Sequence, residues 1–262
     1  MFDLRQSTNG RPLLVGHRGA MEVAPENTMS AFRAGLAGGA DILELDVQLT
    51  ADKQVVVFHD TDLRLKTPVS GQIGEYKADY LRTLDVGRYF NAAFAGERIP
   101  FLEEVLAWAK GRIPLMIELK HTPPHFNPDL DLCTVALIEQ YDMVDEVVVT
   151  SFDQFALRRA KRLNPDITTS LIYVGRFCNP LGLITRFEVD VLSPSTDFLS
   201  RDEVKMIQAA GYACSPGGFY WDYETLLAWG VDTISSNNPA SVRPLLPEEK
   251  PLEAALMAAL LA

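Results

Sequence analysis

Apolar residues recur along the chain in two alternating rhythms: short runs rich in β-branched residues, and longer stretches whose apolar positions fall at helical spacing. The first run is Leu13 to Gly16. A helix follows, opened by Pro25-Glu26-Asn27-Thr28, carrying Met29, Phe32 and Leu36 on one face and stopped by Gly38-Gly39. The second strand is Ile42 to Leu49. Thr50-Ala51-Asp52-Lys53 then leads into a third run, Val55 to Phe58, and a linker of that length predicts an antiparallel hairpin. From Phe101 onward, helices over 101–110, 130–140, 155–163, 183–187, 201–210 and 224–229 alternate with strands over 115–119, 147–150, 168–174, 189–192, 212–215 and 233–235.

With the Val55 run set aside as an accessory, eight strands separated by helices predict a (β/α)8 barrel. A chain of 262 residues suits one such barrel, which needs about 250, better than two unrelated domains. The rhythm breaks only over 60–100, where Pro68, Gly71, Gly74, Gly87 and Pro100 punctuate a stretch without a strong strand. An interruption of that length predicts an insertion subdomain after the second strand rather than a bare loop. The tail, 251–262, is rich in Ala and Leu and reads as a terminal helix packed on the barrel or on a neighbouring subunit, which leaves a homo-oligomer open.

Composition narrows the function. A formal net charge of −11 argues against a nucleic-acid partner, because such binding neutralises phosphates with Lys and Arg. No apolar run is long enough for a membrane span, and the start lacks the charged-then-apolar pattern of a signal peptide. Cys133, Cys178 and Cys214 are widely spaced and fit free thiols, so the expected compartment is the cytoplasm.

In a barrel of this kind reactive groups come from the C-terminal ends of strands. The polar residues at those positions are His17 and Arg18 after the first strand, Glu44 and Asp46 in the second, His59 after the accessory run, and Glu118 and Lys120 at the third barrel strand. Glu44, Asp46 and Glu118 would repel one another unless a cation neutralises them, and a hard divalent ion, Mg2+ or Ca2+, suits an all-oxygen donor set better than zinc does. The alternative for each carboxylate is an ion pair with Arg18 or Lys120. His17 and His59 form a pair able to deprotonate a nucleophile and protonate a leaving alkoxide, as phosphodiester hydrolysis requires. Arg18 suits a bidentate grip on a phosphate, and Lys120 could neutralise charge developing on it. His121 and His125, among prolines, read as loop residues near the mouth of the site.

His17-Arg18-Gly19, Pro25-Glu26-Asn27-Thr28, Gly39-Ala40-Asp41, Glu44-Leu45-Asp46-Val47, His59-Asp60 and Ile117-Glu118-Leu119-Lys120, in this order and spacing, resemble the signature of the glycerophosphodiester phosphodiesterases. The resemblance implies a (β/α)8 TIM barrel with a small insertion after the second strand. It also implies a divalent metal on Glu44, Asp46 and Glu118, acid–base work by His17 and His59, phosphate contact by Arg18 and support from Lys120. The expected activity is metal-dependent hydrolysis of a glycerophosphodiester to glycerol 3-phosphate and an alcohol. The alternatives are a lysophospholipid or other phosphodiester hydrolase, served by an apolar groove from Tyr89, Phe90 and Phe126, or a non-catalytic phosphate-ligand binding protein.

Departures from the family pattern gather elsewhere. Leu65-Lys66-Thr67-Pro68 stands where an Arg-Thr-Thr run is common, and Cys214-Ser215-Pro216-Gly217-Gly218 where members carry a tryptophan followed by Thr-Val-Asn. Ser236-Asn237-Asn238-Pro239 stands where Thr-Asp tends to precede a proline. These segments would face the leaving alcohol. Phe219, Tyr220 and Trp221 read as loop and core aromatics, with an aromatic wall for a choline-like cation as the functional alternative.

Overall fold

A computed structural model of the chain describes residues 1–5, 11–120, 129–218 and 222–247. Its elements are β1 (Leu13–Gly16), α1 (Met29–Ala37), β2 (Ile42–Leu49), β3 (Val55–Val57), α2 (Ala78–Leu81), α3 (Leu102–Ala109), β4 (Leu115–Leu119), α4 (Asp129–Gln140) and β5 (Val147–Ser151). They continue as α5 (Gln154–Leu163), β6 (Thr168–Tyr173), α6 (Leu181–Phe187), β7 (Val191–Pro194), α7 (Arg201–Ala209), β8 (Ala213–Cys214), α8 (Tyr223–Trp229), β9 (Thr233–Ser236) and α9 (Pro239–Val242). Eight parallel strands run in the order β8-β7-β6-β5-β4-β2-β1-β9, and β3 lies antiparallel on β2. At the seam the Asp232 N–H donates to the Cys214 carbonyl at 3.0 Å while the Asp232 carboxylate accepts from the Cys214 N–H at 2.7 Å, so the sheet is a nearly closed (β/α)8 barrel.

Burial follows the two periodicities. All eight residues of β2 are buried, which a strand covered on both faces requires. Leu43, Leu45 and Val47 face outward and join the helix-side core with Phe32, Leu102, Val105 and Leu106. Ile42 faces inward and, with Val15, Met116, Val148, Val191 and Ala213, makes an apolar floor toward the N-terminal strand ends that Leu4 plugs from below. Farther along the same inward face come Glu44, Asp46 and Gln48. The barrel is therefore apolar at its base and charged at its mouth.

Most predicted limits shift by no more than one residue, and three elements illustrate the differences. Strand β7 runs over Val191–Pro194 rather than 189–192, β8 keeps only Ala213–Cys214 of 212–215, and α6 starts two residues early, at Leu181. The cause in β7 is a layer of buried hydroxyls that an apolar-run criterion passes over: Ser193 and Ser170 are hydrogen-bonded at 2.6 Å, and Thr150 donates to the Ser170 carbonyl at 3.1 Å. In β8 the neighbouring Ser215 hydroxyl pairs with that of Thr233 at 2.7 Å, beyond the end of the short ladder.

The 60–100 stretch follows the β2–β3 hairpin. It comprises α2 and short 3-10 turns at Leu63–Leu65, Ile73–Glu75 and Ala92–Phe94. Leu63, Ile73, Leu81, Leu84, Val86 and Ile99 pack with Val56, Phe58 and Phe101 into a small core separate from that of the barrel. The three cysteines are unpaired, and among the described residues no helix is long and apolar enough to cross a membrane. The tail at 251–262 lies outside the described residues.

Leu102 is fully buried between α3 and the sheet. Leu102→Ala is expected to lower stability by about 2–5 kcal/mol, read as a reduced urea midpoint with an unchanged slope.

Candidate active site

The turn after β1 is built for close approach. Arg18 and Gly19 adopt positive φ, at 49° and 86°. A Cβ on Gly19 would lie 2.5 Å from the Ala31 carbonyl carbon, and one on Gly16 would lie 2.3 Å from the Gly19 oxygen, so both positions need glycine. The strained Arg18 backbone directs its N–H to Glu44 Oε2 at 2.7 Å. At its end the turn is pinned to α1, as the Asn27 N–H donates to the Arg18 carbonyl at 3.1 Å.

Strands β2 and β4 pair in parallel with Asp46 opposite Glu118 and Glu44 opposite Met116, so Glu44, Asp46 and Glu118 share the inward face. Oxygen atoms of all three lie within 4.8 Å of one another, and all three residues are buried. Lys120 Nζ bridges two of them, at 3.2 Å from Asp46 Oδ1 and 2.6 Å from Glu118 Oε1. Asp46 Oδ2 accepts from Asn27 Nδ2 at 2.8 Å and lies 3.5 Å from Arg18 Nε.

His59 reaches this site through the hairpin. Strand β2 runs past the carboxylates, the 50–54 turn reverses the chain, and Phe58 N–H returns to the Asp46 carbonyl at 2.9 Å. The Gln48 amide then donates to the carbonyls of Phe58 and Asp60, at 2.8 and 2.9 Å, bracketing His59. His59 Nδ1 lies 3.0 Å from Asp60 Oδ1. Asp60 pairs with Lys66 Nζ at 3.6 Å, Lys66 with Glu26 at 3.3 Å, and Glu26 with Arg18 at 3.0 Å. Charges thus alternate from Asp60 through Lys66, Glu26, Arg18, Asp46 and Lys120 to Glu118. Tyr89 carries the insertion onto this chain, with Lys66 Nζ 4.5 Å from its ring centroid. On the other side, His17 Nδ1 lies 2.7 Å from Asn237 Oδ1, at the end of β9.

The carboxylates are not equivalent. Burial, then the negative charges of Asp46 and Glu118, raise Glu44 well above the ordinary carboxylate range. Burial and Asp46 also raise Glu118, against the pull of Lys120. Burial would raise Asp46 too, but Lys120 and Arg18 outweigh it and hold this carboxyl far below the usual range. Lys120 is raised despite its burial, because Asp46 and Glu118 favour its charged form. His17 is held down at about 4 by burial and by the neighbouring Arg18.

All seven sequence-predicted residues, His17, Arg18, Glu44, Asp46, His59, Glu118 and Lys120, gather at one end of the barrel. Glu26, Asn27 and Asn237 contact Arg18, Asp46 and His17 and were not singled out for it, and Gln48 and Lys66 act one step further out, on the Phe58 and Asp60 carbonyls and on Glu26 and Asp60. Asn27 stands where a helix start explains a polar residue, and Gln48 continues the period-two face of Glu44 and Asp46, which is the signal that could have found it. His121, His125, Phe126, Phe219, Tyr220 and Trp221 lie outside the described residues. Of the expected apolar groove, Tyr89 is occupied by Lys66, while its ring meets that of Phe90 edge-on at 6.4 Å.

Residues 17–241 match the Glycerophosphoryl diester phosphodiesterase family. A glycerophosphodiester phosphodiesterase of Caldanaerobacter subterraneus subsp. tengcongensis is 30% identical over 88% of this chain and 96% of its own length. A phosphodiesterase of Oleispira antarctica, solved with the product sn-glycerol-3-phosphate, superposes with a TM-score of 0.84 at 25% identity, covering 92% of this chain and 98% of that one. A glycerophosphodiester phosphodiesterase of Agrobacterium tumefaciens superposes with a TM-score of 0.74 at 25% identity, covering 87% and 97%.

The mutual repulsion is directly measurable. Glu118→Gln removes a negative neighbour of Glu44, so the Glu44 carboxyl is expected to titrate at lower pH than in the unaltered, metal-free protein; 13C NMR of the side-chain carboxyl reads the shift. Asn27→Ala leaves Asp46 without one of its donors and is expected to cost about 1–3 kcal/mol in chemical denaturation.

Proposed function

Because the chain belongs to the glycerophosphoryl diester phosphodiesterase family, we propose that it hydrolyses a glycerophosphodiester to glycerol 3-phosphate and the free alcohol. The observation that carries this reading is the convergence of three buried carboxylates with two histidines, an arginine and a lysine at one set of strand ends. In it the chain is one phosphodiesterase barrel domain, and the 60–100 insertion reaches the site through Asp60, Lys66 and Tyr89.

The donor set fits a hard divalent cation. Among the described residues the charge network holds five carboxylates, Glu26, Glu44, Asp46, Asp60 and Glu118, against three fixed cations, Arg18, Lys66 and Lys120. Two negative charges therefore remain to be neutralised when all five are ionised, and Glu44, raised by burial and then by its carboxylate neighbours, is the group that would yield a proton to a cation. Glu44, Asp46 and Glu118 would hold Mg2+ or Ca2+ through oxygen. Bound there, such an ion supplies Lewis acidity toward a phosphoryl oxygen.

The residues of the chain supply the rest. Arg18 Nε is buried without a hydrogen-bond partner among the described protein atoms, and it serves as a donor to a phosphate oxygen. Lys120, charged and wedged between Asp46 and Glu118, offsets negative charge that builds on the phosphoryl group. His17, neutral near pH 7, takes the proton of the nucleophile as the new P–O bond forms. The nucleophile is either water, which gives glycerol 3-phosphate directly, or the adjacent glycerol hydroxyl, which gives a cyclic phosphate that water then opens to glycerol 3-phosphate. The bond to the alcohol breaks, and His59, oriented by Asp60, gives its proton to the departing oxygen. The two rings also differ in their partners, an amide for His17 and a carboxylate for His59.

A second reading, a lysophospholipid or similar ester with a long apolar group, is favoured by one observation. Phe152 is 55% exposed and borders a cavity of about 280 Å³ shared with Glu118 and Lys120. Val174, Phe177 and Phe198 are also exposed and follow β6 and β7 at the same end of the barrel.

Purified protein assayed on glycerophosphocholine, glycerophosphoethanolamine and lysophosphatidylcholine is expected to release the alcohol of at least one, to stop with chelator and to recover with Mg2+ or Ca2+. Activity that chelator leaves untouched would remove the metal from the mechanism. His17→Ala and His59→Ala are each expected to reduce kcat by about a hundredfold or more while substrate still binds. Undiminished turnover in either would refute its role, and binding of substrate without turnover by the unaltered protein would favour a ligand-binding function.

A further inference from the structure

We propose that Asn237 is a positioning residue for hydrolysis: its side-chain oxygen, 2.7 Å from Nδ1 of His17, keeps the imidazole proton on Nδ1 and makes Nε2 the proton-accepting nitrogen. The inference rests on the reading of His17 as the base and gives Asn237, within the Ser236-Asn237-Asn238-Pro239 segment, the specific role of fixing its tautomer.

Backbone pairing sets the geometry. Strands β1 and β9 are neighbours in parallel register, Gly16 opposite Ser236, so His17 and Asn237 leave their strands side by side. The His17 N–H donates to the Ser236 carbonyl at 2.9 Å, the Glu22 N–H donates to the Asn237 carbonyl at 3.0 Å, and the Asn238 N–H donates to Ser236 Oγ at 3.0 Å. Pro239 opens α9 directly afterwards. Backbone atoms and the Ser236 hydroxyl thus already hold the segment, and the Asn237 side chain is left to act on the imidazole.

The chemistry matches a neutral ring. An amide oxygen accepts and does not donate, so the nitrogen facing it must carry hydrogen, and a neutral imidazole then has its lone pair on the other nitrogen. Burial and the Arg18 guanidinium keep His17 uncharged at neutral pH, against the opposing influence of Asn237, Asp46 and Glu26. A carboxylate at position 237 would favour imidazolium and oppose that state. An amide fixes the tautomer and adds no charge. His59 has the contrasting arrangement, with Asp60 at its Nδ1.

The test uses full-length protein, unaltered and as N237A and N237D, with H17Q to assign the resonances. Ring 15N chemical shifts at neutral pH are expected to show the Nδ1–H tautomer of His17 in the unaltered protein and a mixture in N237A. On glycerophosphocholine with saturating Mg2+, N237A should lose about tenfold or more in kcat with KM changed less than about threefold, since an orienting contact acts on the chemical step. N237D, whose carboxylate can only accept, should keep the Nδ1–H tautomer. Assayed at about pH 9, where its added charge no longer holds the ring protonated, it should recover most of that loss. An Nε2–H tautomer in the unaltered protein, or loss of the contact in N237D, would show that the amide donates and would overturn the proposal. So would N237A with unchanged tautomer and kcat. If His17→Ala retains full turnover while the tautomer depends on Asn237, it is the catalytic reading of His17 that fails.

Discussion

Placing three carboxylates together out of water is unfavourable unless their charge is offset, and much of the site is arranged around that constraint. Two like charges within a few ångströms in a buried setting raise each other's proton affinity steeply. Asp46 stays ionised because cations reach it from two directions, Arg18 from the turn after β1 and Lys120 from the end of β4. Those cations are held by further carboxylates, and the alternation passes through Glu26 and Lys66 to Asp60. The turn, the start of α1, the hairpin and the insertion are thus coupled through one electrostatic chain.

The mouth of the barrel is divided accordingly. The arc from β9 through β1 and β2 to β4 carries the titratable groups. The arc from β5 to β8 is lined instead by Thr150, Ser170, Ser193 and Ser215, whose hydroxyls satisfy one another or the adjacent backbone. Beyond that quiet arc stand the exposed Phe152, Phe177 and Phe198. Exposed apolar surface thus begins directly beside the charged arc, where Phe152 shares a cavity with Glu118 and Lys120.

Much of this was legible in the sequence, for reasons specific to the residues. The alternation of β-branched runs with helical stretches identified all eight barrel strands, and period two placed Glu44 and Asp46 on one face before any contact was known. The seven residues at strand ends could be collected from position alone. What the sequence hid were partners supplied from a distance: Asn237 is 220 positions from His17, and only the pairing of β9 with β1 makes them neighbours. Lys66 likewise reaches Glu26 only because the insertion folds back over the turn. Hydroxyl-bearing strand ends concealed the limit of β7, since Ser193 and Pro194 read as turn residues where they are in fact buried wall, whereas β8 proved shorter than its apolar pattern suggested.

The small core of the 60–100 insertion has one more consequence. Its Leu63, Ile73, Leu81 and Ile99 pack among themselves and against Val56, Phe58 and Phe101, while the barrel keeps a core of its own. Residues exposed on the insertion can therefore be exchanged without repacking the strands that carry the carboxylates. The reacting centre and the surface beside it thus rest on two separately packed cores, and a change in one need not be accommodated in the other.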